Sequence, residues 1–165
     1  MKLHSLICWL IFTVAVGEAK VSAQELSREI LGIDLSMTKD AAQKRLQEIG
    51  TFVRHEEKQQ EVWQVRDESF SHLIVGFGKH DKMRYVSAVA RNDKDAKRVG
   101  YAELGDLKKA RQTGDPKINN WRYEWELPAE KGEPHTLVIA AGRDPKYLTT
   151  YSLKNLESEP VTDKQ

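Results

Sequence analysis

The chain repeats itself at a spacing of about 63 residues. Gly50, Trp63, His72 and Asp81 recur as Gly114, Trp125, His135 and Asp144, at offsets of 64, 62, 63 and 63 by subtraction of residue numbers. Each copy reads as one helix followed by three strands. A module of that size cannot bury its own apolar face, whereas two can share one sheet. The spacing therefore predicts an α+β fold. Two related helix-plus-antiparallel-strand units would form a sheet with helices packed on one face.

Residues 1–23 stand apart from that argument. Lys2 and His4 precede an apolar run from Leu6 to Val16, and Val21-Ser22-Ala23 offers the small residues that a signal peptidase reads. The run is shorter than the roughly 20 residues a bilayer span needs. The expectation is a signal peptide cleaved after Ala23, a secreted or periplasmic product, and no stable membrane insertion after cleavage; a cut after Ala19 and an uncleaved N-terminal anchor are the alternatives. Cys8, the only cysteine, lies inside this run and follows Ile7, not the small residue a lipid-modified cysteine requires. The mature chain would then hold no cysteine, and its stability would come from core packing. Loss of Lys2, Lys20 and Glu18 leaves 24 basic and 24 acidic residues, starting from 26 and 25. A neutral chain of this kind lacks the surplus of positive charge that nucleic-acid binding needs.

The remaining residues divide into a first helix-strand unit (24–92), a charged linker (93–100), a second unit (101–153) and a polar flexible tail (154–165). In the lead-in, Leu26, Ile30, Leu31 and Ile33 suggest a short helix. The first clear helix follows, with Ser36 or Thr38 as its cap, Asp40 at the positive end of its dipole, and Leu35, Ala42, Leu46 and Ile49 at helical spacing. Gly50 reads as a left-handed stop. Two hairpins are expected next, Phe52–Glu56 with Glu61–Arg66 and His72–Gly78 with Met83–Arg91. The second pair is nearly continuously apolar and therefore central. Tyr101, Leu104, Leu107, Lys108 and Arg111 suggest a second helix, interrupted by Gly105 and ended by Gly114-Asp115-Pro116. Ile118–Leu127 alternates strictly, and Thr136–Ala141 with Tyr147–Leu153 forms the last hairpin.

The run Ile33-Asp34-Leu35-Ser36-Met37-Thr38-Lys39-Asp40-Ala41, continuing to Leu46 and a glycine, resembles the helical signature of the small outer-membrane-assembly lipoprotein family. That family shares its fold with the tandem-repeat beta-lactamase inhibitor proteins. Gly114-Asp115-Pro116 and the turn aspartates Asp81 and Asp144 are also similar to features of that fold. The resemblance covers nearly all of residues 33–153. It implies the two-unit architecture and a habit of binding proteins through a sheet face. The chain departs from the pattern in having no lipid-accepting cysteine, no proline after Gly50, and Gly105 inside the second helix.

Two alternatives compete for the binding surface. Trp121, Tyr123 and Trp125 share one strand face, joined by Trp63 in the first copy, and could form an aromatic platform. Alternation alone does not say which face is which, but the fully charged opposite face favours them as core, with one of them projecting at the rim. Arg122, Glu124 and Glu126 lie opposite them and read as the wet face. Whichever set is exposed is the better interface. His72 and His135 lack carboxylate or thiol companions at ligand spacing, and His55-Glu56-Glu57 has the wrong spacing for a helical zinc motif, so no metal is expected. No nucleophile elbow, phosphate loop or apolar carboxylate pair is present.

These features point to an exported, non-catalytic module that binds another exported or envelope protein, inhibitor-like or as an assembly accessory, without a cofactor. A carrier of a small apolar ligand between sheet and helices is the first alternative. A small secreted hydrolase is the second, and it would need clustered titratable groups in a cleft.

Overall fold

A computed structural model describes residues 25–57 and 59–158. The expected leader 1–23 and the end of the tail lie outside the described residues. The molecule is α+β, dominated by antiparallel sheet.

The lead-in forms a hairpin instead of the expected helix. Strands β1 (Glu29–Ile30) and β2 (Ile33–Asp34) pair antiparallel around Leu31 and Gly32, whose φ angles are 54° and 77°. Two successive positive φ values are the signature of a primed hairpin turn. Pairing Ile30 with Ile33 buries both side chains, which a helix would have spread around its circumference. Helix α1 (Lys39–Ile49) follows as expected. Of the two candidate caps it is Thr38 that serves, its Oγ1 accepting the Ala41 N–H at 3.3 Å.

Gly50 is not the left-handed cap that its position suggests. Its backbone is extended (φ −158°), and it opens the first strand of the large sheet. That sheet contains β3 (Gly50–Glu56), β4 (Gln60–Val65), β5 (Phe70–Phe77), β6 (Met83–Ala90), β7 (Arg111–Gln112), β8 (Trp121–Leu127), β9 (Thr136–Gly142) and β10 (Thr150–Asn155). Their spatial order is β3-β4-β5-β6-β10-β9-β8-β7, with every neighbouring pair antiparallel. The expected first and second segments thus feed one sheet, and β6 meets β10 at its centre. Lys154 and Asn155, assigned to the flexible tail by composition, are the end of β10 and pair with Leu137 and Thr136.

The expected second helix is largely absent. Only Tyr101–Leu104 is helical (α2), Gly105 ends it, and a short 3-10 turn at Leu107–Lys109 leads into β7. Gly105 is extended (φ 176°, ψ 176°), and a Cβ there would stand 3.0 Å from Leu26 of the lead-in.

A cluster of buried hydrophobic residues forms the core. It joins Ile30 and Ile33 of the hairpin, Ala42 and Leu46 of α1, and Tyr101 of α2. From the strands it draws Trp63, Leu73, Val75, Phe77, Val86, Ala88, Trp125, Val138, Ala140, Tyr151 and Leu153.

Candidate functional site

Because paired residues of an antiparallel ladder project to the same face, the register sorts every strand residue. One row runs Phe52, Trp63, Leu73, Ala88, Tyr151, Ala140, Tyr123 and Gln112 across all eight strands. Its central members belong to the core. The adjacent row on the other face runs Arg54, Val62, Ile74, Ser87, Ser152, Ile139, Glu124 and Arg111.

The aromatic candidates therefore lie on the core side. Trp63 and Trp125 are 5% and 3% exposed. The Trp63 indole N–H donates to the Glu61 carboxylate at 3.1 Å, and that of Trp125 to the Asp106 carbonyl at 3.1 Å. Trp121 and Tyr123 are partly buried and pack against the same cluster, with the Tyr123 ring 5.0 Å from that of Tyr101. Glu61, also buried, accepts from Gln43 of α1 at 2.6 Å as well as from Trp63.

Arg122, Glu124 and Glu126 lie on the opposite face, but they are not uniformly wet. Glu124 is only 7% exposed and is clamped by Arg111 (2.6 Å) and Arg122 (2.7 Å). Burial pushes its carboxyl upward, yet the Arg122 and Arg111 hydrogen bonds outweigh this and hold it below the usual carboxylate range. Glu126 is exposed and stands 3.7 Å from His135.

Around this charged edge the second face is partly apolar. Ile74, Val89, Leu137, Ile139 and Ala141 are all partly exposed, and none belongs to the core cluster. Tyr85 lies over Gly76 of the neighbouring strand, where any Cβ would strike its ring. Burial against the sheet is the main cause of its raised phenol pKa. At the centre the Ser87 and Ser152 hydroxyls hydrogen-bond at 2.8 Å. Charged residues rim the patch: Arg54 pairs with Glu56 at one edge, and the Arg111–Glu124–Arg122 group closes the other.

The sequence pattern had not singled out Ile74, Tyr85, Val89, Leu137 or Ile139. A signal was present. Strands β5, β6 and β9 are apolar on both faces, while one full helix and a few turns can cover only one side.

The structure does not bring His72 and His135 together. His72 sits within β5 opposite Val89, whereas His135 precedes β9. Among the described residues no group of three or more His, Cys, Asp or Glu is placed to hold a metal ion. A cavity of about 580 Å³ is lined by Leu35–Met37, Lys82, the 129–134 loop, Glu157 and the strand residues Met83 and Asn155. No described helix is long and apolar enough to cross a membrane. No family model, curated protein or solved structure matches the chain.

Proposed function

We propose that this is an exported, non-catalytic module that binds another exported or envelope protein through the second sheet face. One observation carries the reading: a broad sheet surface has an apolar centre (Ile74, Tyr85, Val89, Leu137, Ile139), a charged rim, and no place in the core cluster. Protein interfaces have that anatomy, with apolar residues central and polar ones peripheral. Extended patches of this kind on soluble proteins commonly mark contact sites. The exposed members of the charged set, Arg122 and Glu126, would supply register at the rim, while Glu124 would hold Arg111 and Arg122 in place.

The proposal includes the architecture. Two related units would meet at β6 and β10, with helical elements on the core side only. The strand order is palindromic about that seam, and the Ser87–Ser152 row is its midpoint. Rotation about that point carries Trp63 onto Trp125, in keeping with the repeat read from the sequence. It carries Ile74 onto Ile139, also in one row. The resemblance to the tandem-repeat inhibitor fold rests on the Ile33–Ala41 run, Gly114-Asp115-Pro116 and the turn aspartates Asp81 and Asp144.

The test is affinity capture from an extract of the exported compartment, comparing wild type with Ile74→Glu and Ile139→Glu, each checked for folding by circular dichroism. A specific partner retained by wild type and lost by both folded variants is expected. Capture of nothing, even with cross-linking, would sink the reading.

A further inference from the structure

The turn between β5 and β6 gathers basic residues around a second cavity. Lys79, His80, Lys82 and Arg84 line a hollow of about 410 Å³, together with Asn155 at the end of β10 and Glu157 just after it. Local structure holds the basic residues in place. His80 and Asp81 both have positive φ, 59° and 55°, which makes the turn tight. The Gly78 N–H donates to the Lys82 carbonyl at 2.8 Å, and Lys82 also bridges to Thr38, the cap of α1. Pairing steps from Tyr85 opposite Gly76 to Met83 opposite Phe77, which leaves Arg84 as the extra residue of a bulge. Bulges re-aim a side chain out of the strand's alternation. The Arg84 stem lies over Gly78, where a Cβ would stand 3.1 Å from its Cγ and Cδ, and its guanidinium lies 5.6 Å from the centre of the Tyr85 ring.

The lining is richer in donors than in acceptors. Asp81, the carboxylate of the turn, pairs with Lys39 at 3.6 Å. Among the described residues no carboxylate pairs with Lys82 or Arg84. The Asn155 Oδ1 accepts the Glu157 N–H at 2.8 Å, which leaves the Asn155 side-chain amide to donate. Glu157 is the one carboxylate among the described lining residues, and its Oε1 accepts the His135 N–H at 3.3 Å. The cations Lys79, Lys82 and Arg84 thus stand against a single anion. The adjoining cavity of about 580 Å³ shares Lys82, Asn155 and Glu157 but adds Glu130 and Glu133 against Lys131 alone, so it is the poorer host for negative charge.

We propose that the hollow at the β5–β6 turn binds the phosphate group of a phosphate monoester, with Lys82, Arg84 and Asn155 as its donors. Such a group accepts charge-assisted hydrogen bonds from several directions, and an arginine fork, a lysine and an amide supply them. Three cations against one carboxylate leave a surplus of two positive charges, which matches a dianion better than the single charge of a carboxylate ligand. This inference does not depend on the proposed partner-binding role.

The test uses protein expressed from the full 165-residue chain. Two probes separate a soluble ligand from a lipid headgroup: glycerol 3-phosphate by titration calorimetry, and co-flotation with phosphatidylcholine vesicles containing phosphatidic acid. Saturable binding of at least one probe is expected, and a response to only one assigns the source. Lys82→Gln and Arg84→Gln, each checked for folding by circular dichroism, should weaken binding about tenfold. Glu157→Gln should strengthen it severalfold by removing the opposing charge, an effect that damage to the fold would not produce. Lys44→Gln, on the exposed side of α1, should change nothing. Binding of neither probe, binding indifferent to Lys82→Gln and Arg84→Gln, or equal weakening by Lys44→Gln would each overturn the proposal. Should either weakening variant misfold, Glu157→Gln decides on its own: binding that fails to strengthen overturns the proposal.

Discussion

Gly50 lies so close to β4 that a Cβ there would stand 2.3 Å from the Gln64 carbonyl oxygen, and at Gly114 one would stand 2.2 Å from the Asn120 carbonyl oxygen. Both obstacles are backbone atoms within or next to a strand and cannot swing aside. Gly50→Ala should therefore destabilise by about 1–3 kcal/mol through overpacking, even though its extended φ suits any residue. A drop in the urea midpoint checks this. Glu124 makes a second prediction at this scale. Its folded pKa is depressed below 4.5, so its contribution is present above that value and fades as pH falls through the folded one. Glu124→Gln should cost about 1–3 kcal/mol at neutral pH and converge on wild type in acid. Tyr101 and Tyr151 behave oppositely: burial raises each to about 12 from 10.0. The stability they confer is whole below pH 10.0 and lost as pH rises through about 12. Ultraviolet titration of the phenols should show these two ionising with alkaline unfolding.

Helix α1 was legible because its cap, its apolar spacing and its charged face all agree. Thr38→Ala should cost about 1 kcal/mol, since Ser36 does not reach the first turn, and circular dichroism melting measures it. The second helix failed because spacing alone ignored what Gly105 faces. Leu26, some 80 residues earlier in the chain, fills the space beside it. The lead-in was misread for a related reason: Ile30 and Ile33 fit a helical period, but the positive φ of Leu31 and Gly32 turns the chain back. On β8 the alternation was right about which residues share a face, and the core position of Trp125 decides which face is inside. Trp125→Ala and Trp63→Ala should each cost about 3–5 kcal/mol by denaturant melting, while Glu126→Ala at the exposed rim should leave stability nearly unchanged.

Over the whole molecule the sheet crosses the boundary between the halves, with Tyr85–Val89 of β6 paired to Thr150–Lys154 of β10. Neither half can unfold without leaving an open edge through the centre of the other's sheet. The expectation is a single cooperative transition in which tryptophan fluorescence, reporting Trp63 on one side and Trp121 and Trp125 on the other, superimposes on far-ultraviolet circular dichroism. Two resolved transitions would mean that the seam does not couple the halves. Trp63 and Trp125 stand at matching register positions on either side of the β6–β10 pairing, whereas His72 and His135 do not. The β4–β5 connection is shorter than the β8–β9 connection, so a fixed offset sets His72 against His135, whereas the pairing sets it two residues further on, against Leu137.

The amino-acid order alone determined strands β3 to β6 and β8 to β10, the capped helix and which side chains travel together on a face, because these follow from local periodicities of 2 and 3.6 residues, whereas β1, β2 and β7 read as helix. Which face is covered, why Gly50 and Gly105 are glycine, and which strand is left at the edge were decided only by tertiary structure. Each of these depends on what distant chain comes to lie against a residue: Gln64 against Gly50, Leu26 against Gly105, and, among the described strands, only β4 against β3.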